Sequence, residues 1–370
     1  MVKHAIRCGR WLGEYRRADA VSFLRRPREH VNWGKWGVAG AGTVLVGMIL
    51  SPVISQCDSS PTIQQPIVGY KSFNDLQMKY QIGGVIGEGS FAVVKVGVDL
   101  ASKEKVAIKE ICKKGNHAGV LENEIDIMSN TGPHRSIVSL REVFDSPEKI
   151  YLVLDFAEGG ELIDAIIREG QMTEKAASEM FNEVVEGVAH MHSKGFVHLD
   201  IKPENLLLTQ DRHLKISDFG LSIDLKNCIG KLQVECGTPA YAAPELLDHK
   251  DFNETVDVWA LGCVLYIMLC GIHPFDPKAK STDEQMQNSA KNGDYDTENK
   301  SYRLLSSEAK DLISHMLDPN PKTRFGTQQV LRHQWLCISV VEKPQENSKP
   351  GILDWLQGQA WASQPRLNMD

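Results

Sequence analysis

The chain has 370 residues, and its 42% hydrophobic and 24% charged content is close to that of ordinary soluble domains, which excludes wholesale disorder. A net charge of −7 argues against a protein that coats nucleic acid, so we expect no nucleic-acid partner. The eight cysteines form no CxxC pair and no dense cluster. They therefore predict free thiols in a reducing compartment rather than disulfides or a zinc site.

The charge is unevenly distributed along the chain. Residues 1–35 hold nine lysines and arginines against three acidic residues, a net charge of +6, so the other 335 residues carry −13. A basic segment in front of an acidic body is typical of a targeting or membrane-proximal head.

An uncharged apolar segment, residues 36–57, follows this head. Its core, 36–54, has 19 residues, just enough for a transmembrane helix, and the positive-inside rule would leave the head on the cytoplasmic or matrix side. A 35-residue basic region is too long for a cleaved signal peptide. A membrane anchor, an organellar presequence and a disordered extension stay open, so we expect a membrane-associated or organellar protein, or otherwise a cytoplasmic one. Residues 58–79, polar with two prolines, are predicted to be a linker.

From about residue 80 the pattern becomes that of a folded domain. Short runs rich in Val, Ile and Phe predict five strands, at 81–87, 92–98, 105–111, 137–144 and 150–155. A helix is predicted at about 118–130. From about 161 helical periodicity dominates, with one amphipathic helix over 174–195 that ends at Gly195. Strands followed by helices predict an α+β protein of two unlike lobes over 80–336, with a tail at 337–370.

Closely spaced glycines join the first two predicted strands. Gly87, Glu88 and Gly89 could offer backbone N–H groups to phosphates, because glycine carries no side chain to obstruct them. A Rossmann loop is excluded because a strand follows instead of a helix, and no Walker sequence occurs. A second signal is Lys109 at the end of a strand, followed by Glu124 on the predicted helix, since this pair could anchor phosphates.

The strongest chemical signal is an ordered set of three short segments. They read His198-Leu199-Asp200-Ile201-Lys202-Pro203-Glu204-Asn205, Asp218-Phe219-Gly220 and Ala243-Pro244-Glu245. Phosphoryl transfer from a nucleotide needs a carboxylate that orients the hydroxyl, oxygens for Mg²⁺ and a cation on the γ-phosphate. Asp200 supplies the first, Asn205 and Asp218 the second, and Lys202 the third.

With these segments in order, residues 80–336 resemble a eukaryotic protein kinase domain. The segments NEIDIM, LVLDFAEGGEL and DVWALGCVLYIMLCG are similar to the calcium/calmodulin-dependent group of serine/threonine kinases. The resemblance implies the two-lobed kinase fold, with a small five-stranded β-lobe containing one helix and a larger helical lobe. It also implies ATP and Mg²⁺ as cofactors and transfer of the γ-phosphoryl group to Ser or Thr of protein substrates.

The resemblance implies roles for individual residues. The adenine would be sandwiched by Ile86, Val94, Ala107, Leu154 and Leu207, with Leu154 as gatekeeper, and bonded by the backbones of Asp155 and Ala157. Phosphates would be held by Lys109, oriented by Glu124. Asp200 would be the base, and Met128, His198 and Phe219 would stack between the lobes. Asp257 would brace the catalytic loop, and Glu245 would pair with Arg324 in a purely structural contact.

Substrate recognition and its control follow from the same resemblance. Glu161 and Glu204 match positions that accept arginines upstream of the phosphorylated residue, so we expect a preference for Arg three residues before the target. Thr238 would contact the catalytic loop on the substrate side. Ala92 replaces the third glycine of the phosphate loop, which should stiffen it slightly. Leu199 stands where many kinases have an arginine that binds a phosphorylated activation loop.

We therefore expect activity that is independent of loop phosphorylation. Between Gly220 and Gly237 the only hydroxyl is Ser222, which is too close to the Asp218-Phe219-Gly220 segment to be the usual phosphosite. The alternative is a pseudokinase scaffold, which would need a missing catalytic group. The tail, 337–370, has three basic residues against four acidic ones and does not support calmodulin binding.

The orientation of the body relative to a membrane can be tested by its glycosylation sequons. Asn253 and Asn299 each begin such a sequon, which a secretory lumen would expose to modification. The free cysteines and the need for ATP argue against that lumen. We therefore expect an organellar or cytosol-facing domain.

Overall fold

The computed structural model describes residues 69–88, 92–113, 118–226 and 238–337. The basic head, the apolar segment at 36–57, the first half of the predicted linker (58–68), Gly89 and the tail beyond residue 337 lie outside these ranges. Within them, no helix combines the length and the apolar character that a bilayer span requires.

The small lobe is built on a six-stranded sheet whose strands run in the order β1-β5-β6-β4-β3-β2. Its strands are β1 Tyr70–Ser72, β2 Tyr80–Glu88, β3 Ala92–Asp99, β4 Lys105–Cys112, β5 Leu140–Asp145 and β6 Lys149–Asp155. All neighbours are antiparallel except β1 and β5, which are parallel. The predicted run at 137–144 begins as a sheet strand only at Leu140, because Ile137 leaves the sheet and bridges Ile216 of the large lobe.

The expectation of five strands and one helix was wrong for this lobe, because residues 70–79 are not a linker. Strand β1 adds the sixth strand, and helix α1, Phe73–Lys79, adds a second helix. Ser72 caps this helix in a reciprocal pair with Asp75, which satisfies N–H groups at the helix start. Leu76 is fully buried against the outer face of the sheet. The sequence did not predict this helix, because the segment is polar and Leu76 is the one residue of the helix that is buried.

Helix α2, Ala118–Thr131, covers the other face of the same sheet. Its Leu121 and Ile125 pack with Ile111, Val143 and other residues of β4, β5 and β6 in a separate apolar cluster. Alternate residues of β4 therefore face opposite sides, as the two-residue period of a strand requires. This alternation points Lys109 to the same side as helix α2.

The large lobe is mainly helical, as expected. Its helices are α3 Leu162–Glu169, α4 Glu174–Lys194, α5 Pro244–Leu247, α6 Thr255–Cys270, α7 Asp283–Asn292, α8 Lys300–Leu304, α9 Ser307–Met316, α10 Thr327–Leu331 and α11 Gln334–Cys337. Helix α4 matches the predicted amphipathic helix, and Gly195 ends it in the left-handed conformation at φ 92°. Helix α6 is buried along its whole length, which places it at the centre of the lobe.

Two small antiparallel sheets support the face of the large lobe nearest the small one. One contains β7 Gly160–Glu161, β9 Leu206–Leu208 and β10 Leu214–Ile216, and the other contains β8 Phe196–Val197 and β11 Ile223–Asp224. The predicted site residues between 198 and 218 lie on and between these strands. Short paired strands hold their backbones in place.

Candidate active site

Lys109 lies at the centre of a charged group that joins the two lobes. Its Nζ donates to Glu124 Oε1 of helix α2 at 2.6 Å and to Asp218 Oδ1 of the large lobe at 3.2 Å. Burial disfavours the charge on Lys109, but the adjacent carboxylates outweigh it and raise its pKa to about 12. Burial would likewise raise the pKa of Asp218, yet Lys109 lowers it below its usual value. Lys109 and Asp218 are therefore both charged at neutral pH.

An apolar surface adjoins this group and is left partly open. Pairing between β4 and β6 sets Ala107 opposite Leu154, pairing between β2 and β3 sets Gly87 opposite Val94, and Leu207 lies on β9. These side chains are half-buried, and Ile86 is 50% exposed. Partly exposed apolar groups on facing strands can cover a flat aromatic ring. Glu88 ends β2 opposite Val93, and Gly89, the next residue, lies outside the described residues.

The Asp200 carboxylate is held by three neighbouring side chains. Lys202 Nζ donates to Oδ2 at 2.7 Å, and Asn205 Nδ2 donates to the same oxygen at 2.9 Å and to the Asp200 carbonyl at 2.8 Å. Thr238 approaches Oδ1 through its backbone N–H, at 3.3 Å, and its hydroxyl also accepts from Lys202 at 2.8 Å. Asp200 is thus buried beside a lysine, with the orientation of its carboxylate fixed.

Asp257 of helix α6 holds the backbone just before Asp200. Its two carboxylate oxygens accept the N–H groups of His198 and Leu199, both at 2.9 Å, and His192 Nε2 lies 2.9 Å away. Burial would raise the pKa of Asp257, but the bond with His192 lowers it. These bonds hold Leu199 at φ 65°, a conformation that is unfavourable for a branched side chain.

The segments before and after the small sheets are joined by apolar and aromatic contacts. The rings of His198 and Phe219 lie 5.2 Å apart, and Phe219 is 1% exposed. Met128 of helix α2 belongs to the same buried cluster as Phe219. In the large lobe the buried Arg324 makes two hydrogen bonds with the buried Glu245, at 2.6 and 2.9 Å.

The donor set at Asn205 and Asp218 fits Mg²⁺, which prefers carboxylate and amide oxygens. The Asp218 side chain is 45% exposed, and both Asn205 hydrogen bonds use Nδ2 and not the amide oxygen. No group of three or more His, Cys, Asp or Glu in the described ranges could hold a metal alone. A Mg²⁺ ion here would be shared with phosphate oxygens, whose charge it would neutralise.

Glu161 and Glu204, the two carboxylates that the sequence predicts to bind substrate, lie near each other. Strand β7 sets Glu161 opposite Leu207 of β9, and Glu161 raises the pKa of Glu204, although burial of Glu204 is the larger cause. Gly159 donates to the Leu208 carbonyl at 2.7 Å, an approach that leaves no room for a Cβ atom. Glu204 Oε2 is buried and has no hydrogen-bond partner among the described residues.

Two basic residues that sequence reasoning did not identify contact Asp155. Arg141 Nε donates to its Oδ1 at 3.0 Å, and Lys215 Nζ to its Oδ2 at 3.2 Å. The only signal in the sequence was a lysine between two buried residues of a short strand, Leu214 and Ile216. Its partner could not be inferred from spacing.

Comparison with known proteins gives a consistent result. A family model described as "Protein kinase domain" matches residues 80–336. The chain is 39% identical over 272 residues to human calcium/calmodulin-dependent protein kinase type 1B, covering 72% of this chain and 77% of that protein. It is 40% identical over 266 residues to CBL-interacting serine/threonine-protein kinase 8 of Arabidopsis thaliana, covering 70% and 57%. A probable myosin light chain kinase of Dictyostelium discoideum is 36% identical over 267 residues, covering 72% and 84%.

Proposed function

The chain belongs to the protein kinase family and is a serine/threonine protein kinase that uses ATP and Mg²⁺, and we propose how its own residues perform the transfer. The contact of Lys109 with both Glu124 and Asp218 carries the proposal, because it sets a cation and a metal-binding carboxylate side by side in the cleft. Lys109 binds the α- and β-phosphates. Asp218 and Asn205 hold Mg²⁺, and the adenine lies between Ala107, Leu154 and Leu207 with the other sandwich residues.

Asp200 is proposed to orient the substrate hydroxyl and to accept its proton. Its carboxylate is buried and held by Lys202 and Asn205, so it can approach a hydroxyl without first reorganising. Lys202 stabilises the γ-phosphoryl oxygens as negative charge shifts toward them. Thr238 bonds both residues and connects them to the segment that faces the peptide.

A test of this assignment compares ATP turnover with nucleotide binding. Asp218→Ala should abolish peptide phosphorylation, whereas the wild type should phosphorylate itself or a peptide in the presence of Mg²⁺. A pseudokinase would bind nucleotide without turnover in the wild type. That alternative has no support, since none of Lys109, Asp200, Asn205 or Asp218 is missing.

We propose a preference for substrates with an arginine three residues before the target. Glu204 supports it, because a buried carboxylate oxygen without a partner is costly until a cation binds it. Glu161 supplies a second carboxylate on the same side. An oriented peptide library should show the arginine preference, and Glu161→Gln should weaken it. Glu158→Gln is the matched control, because Glu158 is paired with Lys105 at 3.0 Å. Equal loss in both variants, or no preference in the wild type, would contradict the proposal.

We also propose that activity does not require phosphorylation of the activation loop. Leu199, at the position of the usual phosphate-binding arginine, packs against the apolar core of the large lobe. Ser222 is 1% exposed and its hydroxyl lies 3.3 Å from the His198 carbonyl, so a kinase could not reach it without local unfolding. Residues 227–237 lie outside the described residues. Phosphatase-treated protein should keep most of its rate on a peptide. Loss of that rate, with recovery on rephosphorylation of a mapped site in 221–237, would refute the proposal.

The N-terminal 57 residues are proposed to attach the kinase to a membrane or to direct it to an organelle, with the catalytic domain outside the secretory lumen. The need for ATP supports this, and so do the free thiols among the described residues, which are typical of a reducing compartment. Fractionation with protease protection tests the attachment. A glycosidase-sensitive mass shift would show that the domain faces the lumen instead.

A further inference from the structure

A charged network crosses the junction between the lobes at Asp155, the last residue of β6. Arg141 of β5, in the small lobe, donates to Asp155 Oδ1 at 3.0 Å. Lys215 of β10, in the large lobe, donates to Asp155 Oδ2 at 3.2 Å. One carboxylate is thus bound by a cation from each lobe, and each cation uses a different oxygen.

Further bonds tie the same point to the backbone. Lys215 Nζ also lies 3.3 Å from the Ile137 carbonyl, and the Ser139 N–H lies 3.3 Å from Asp155 Oδ2. The Asp155 N–H donates in turn to the Ser139 carbonyl at 3.1 Å. Residues 137–139 form the connection between helix α2 and β5. Asp155 therefore links three parts of the chain. These are the connection that precedes β5, the segment between the lobes that follows β6, and the large lobe.

The burial of the network separates it from ordinary surface ion pairs. The side chains of Asp155 and Lys215 are 19% and 18% exposed, and Arg141 is 37% exposed. Burial would raise the pKa of Asp155, but Arg141 and Lys215 lower it, so the carboxylate stays ionised. Exposed pairs contribute little because solvent and salt screen them. A half-buried carboxylate with two cations is screened less.

We propose that Arg141, Asp155 and Lys215 act as an interlobe clasp, in which the two cations are positioning residues for nucleotide binding. The proposal rests on the adenine contacts proposed above, since the backbone of Asp155 is the one expected to bond the adenine edge. By holding its side chain from both lobes, the clasp fixes that backbone and limits how far the lobes separate. Because ADP leaves through the opening between the lobes, the clasp slows its release.

The test uses the full chain with Lys215→Met and Arg141→Met, which remove each charge and retain the aliphatic stem. Release of a fluorescent ADP analogue, followed by stopped flow, should accelerate about fivefold in Lys215→Met, with a similar rise in KM for ATP. The increase should be smaller in Arg141→Met, because Arg141 orients the Asp155 carboxylate from a neighbouring strand of the same sheet and only Lys215 bonds it from the large lobe. KM for the peptide should stay within about twofold, because the substrate-side carboxylates are not in the network. Lys215→Arg, which keeps the charge, should restore slow release.

The matched control is Lys113→Met. The side chain of Lys113 is 33% exposed, and its partner, Asp145, lies in the same lobe. Loss of Lys113 therefore removes an ion pair without freeing the lobes. Its ADP release should equal that of the wild type. The double variant Arg141→Met with Lys215→Met should release ADP no faster than Lys215→Met, because the loss of Lys215 already removes the bond between the lobes.

The possible outcomes distinguish a failure of the clasp from a failure of the proposed function on which it rests. Wild-type protein that binds no nucleotide would overturn the proposed function, and the clasp with it. Normal binding by the wild type with unchanged release in both single variants would overturn the clasp alone. Additive effects in the double variant would also overturn the clasp. So would equal increases in KM for ATP and for peptide together with a lower melting temperature, because that combination indicates general destabilisation.

Discussion

The pair formed by Glu245 and Arg324 allows a quantitative prediction for the large lobe. The Arg324 side chain is fully buried and that of Glu245 is 4% exposed, with two bonds of 2.6 and 2.9 Å between them. Arg324 also donates to the carbonyls of Asp318 and Thr255. Arg324→Met leaves a buried carboxylate without its cation, which costs about 3–5 kcal/mol of unfolding free energy. In a domain of this size such a loss lowers the melting temperature by about 10 °C.

Thermal and urea unfolding followed by circular dichroism measure this loss. The double variant Glu245→Leu with Arg324→Met removes both charges, and it should recover a large part of the stability, because the stranded carboxylate causes most of the cost. ADP affinity of the folded fraction should not change, since the pair makes no contact with Asp200 or Lys109. A loss below about 1 kcal/mol in Arg324→Met, or a double variant less stable than the single one, would refute the reasoning.

Three further predictions concern other parts of the molecule. Leu76→Ala should cost about 2–5 kcal/mol in urea unfolding because Leu76 is fully buried, whereas Met78→Ala, at a side chain 71% exposed, should change stability by less than about 0.5 kcal/mol. Asp200→Asn should lower kcat by about 10²–10⁴-fold with unchanged ADP release, and near-wild-type turnover would contradict its role as base. Burial lowers the pKa of His273 from 6.5 to about 4. As the pH is lowered, the unfolded chain therefore takes up a proton before the folded protein does, so the free energy of unfolding should fall from pH 6.5 down to about pH 4. His273→Gln should flatten that part of the stability curve, and an unchanged slope would show that other groups cause it.

Periodicity and motif order were enough to predict the helical lobe and most of the small one. The amphipathic pattern at 174–195 identified helix α4 and its end at Gly195, because apolar spacing and a terminal glycine are both local signals. Strand β1 and helix α1 were missed, since a three-residue strand and a helix with one buried leucine have almost no periodicity. Their pairing with β5 is a long-range contact that local patterns do not encode.

In the candidate site, too, some residues could be predicted from local patterns and others depend on contacts that such patterns do not encode. Lys109, Asp200 and Asp218 could be proposed from the sequence because their chemistry requires fixed residue types at recognisable spacings, and the structure brings Lys109 and Asp218 into contact. The contacts of Arg141 and Lys215 with Asp155 could not be inferred, because a charged residue on a strand looks the same whether its partner is water or a buried carboxylate. The burial of Ser222 was equally hidden, because it depends on segments far apart in the chain.

Strand β1 has a consequence for the order in which the chain folds. It is the first described strand to be synthesised, yet its partner is β5, and Tyr70 pairs with Val143. Pairing between residues so far apart has to wait until the intervening chain exists and pays a larger loop-closure entropy than the neighbouring hairpins. The antiparallel strands β2, β3 and β4 can assemble during translation, while β5 keeps an unpaired edge until β1 returns to it. Strand β1 is thus synthesised before the rest of the sheet but can join it only after β5 has been made.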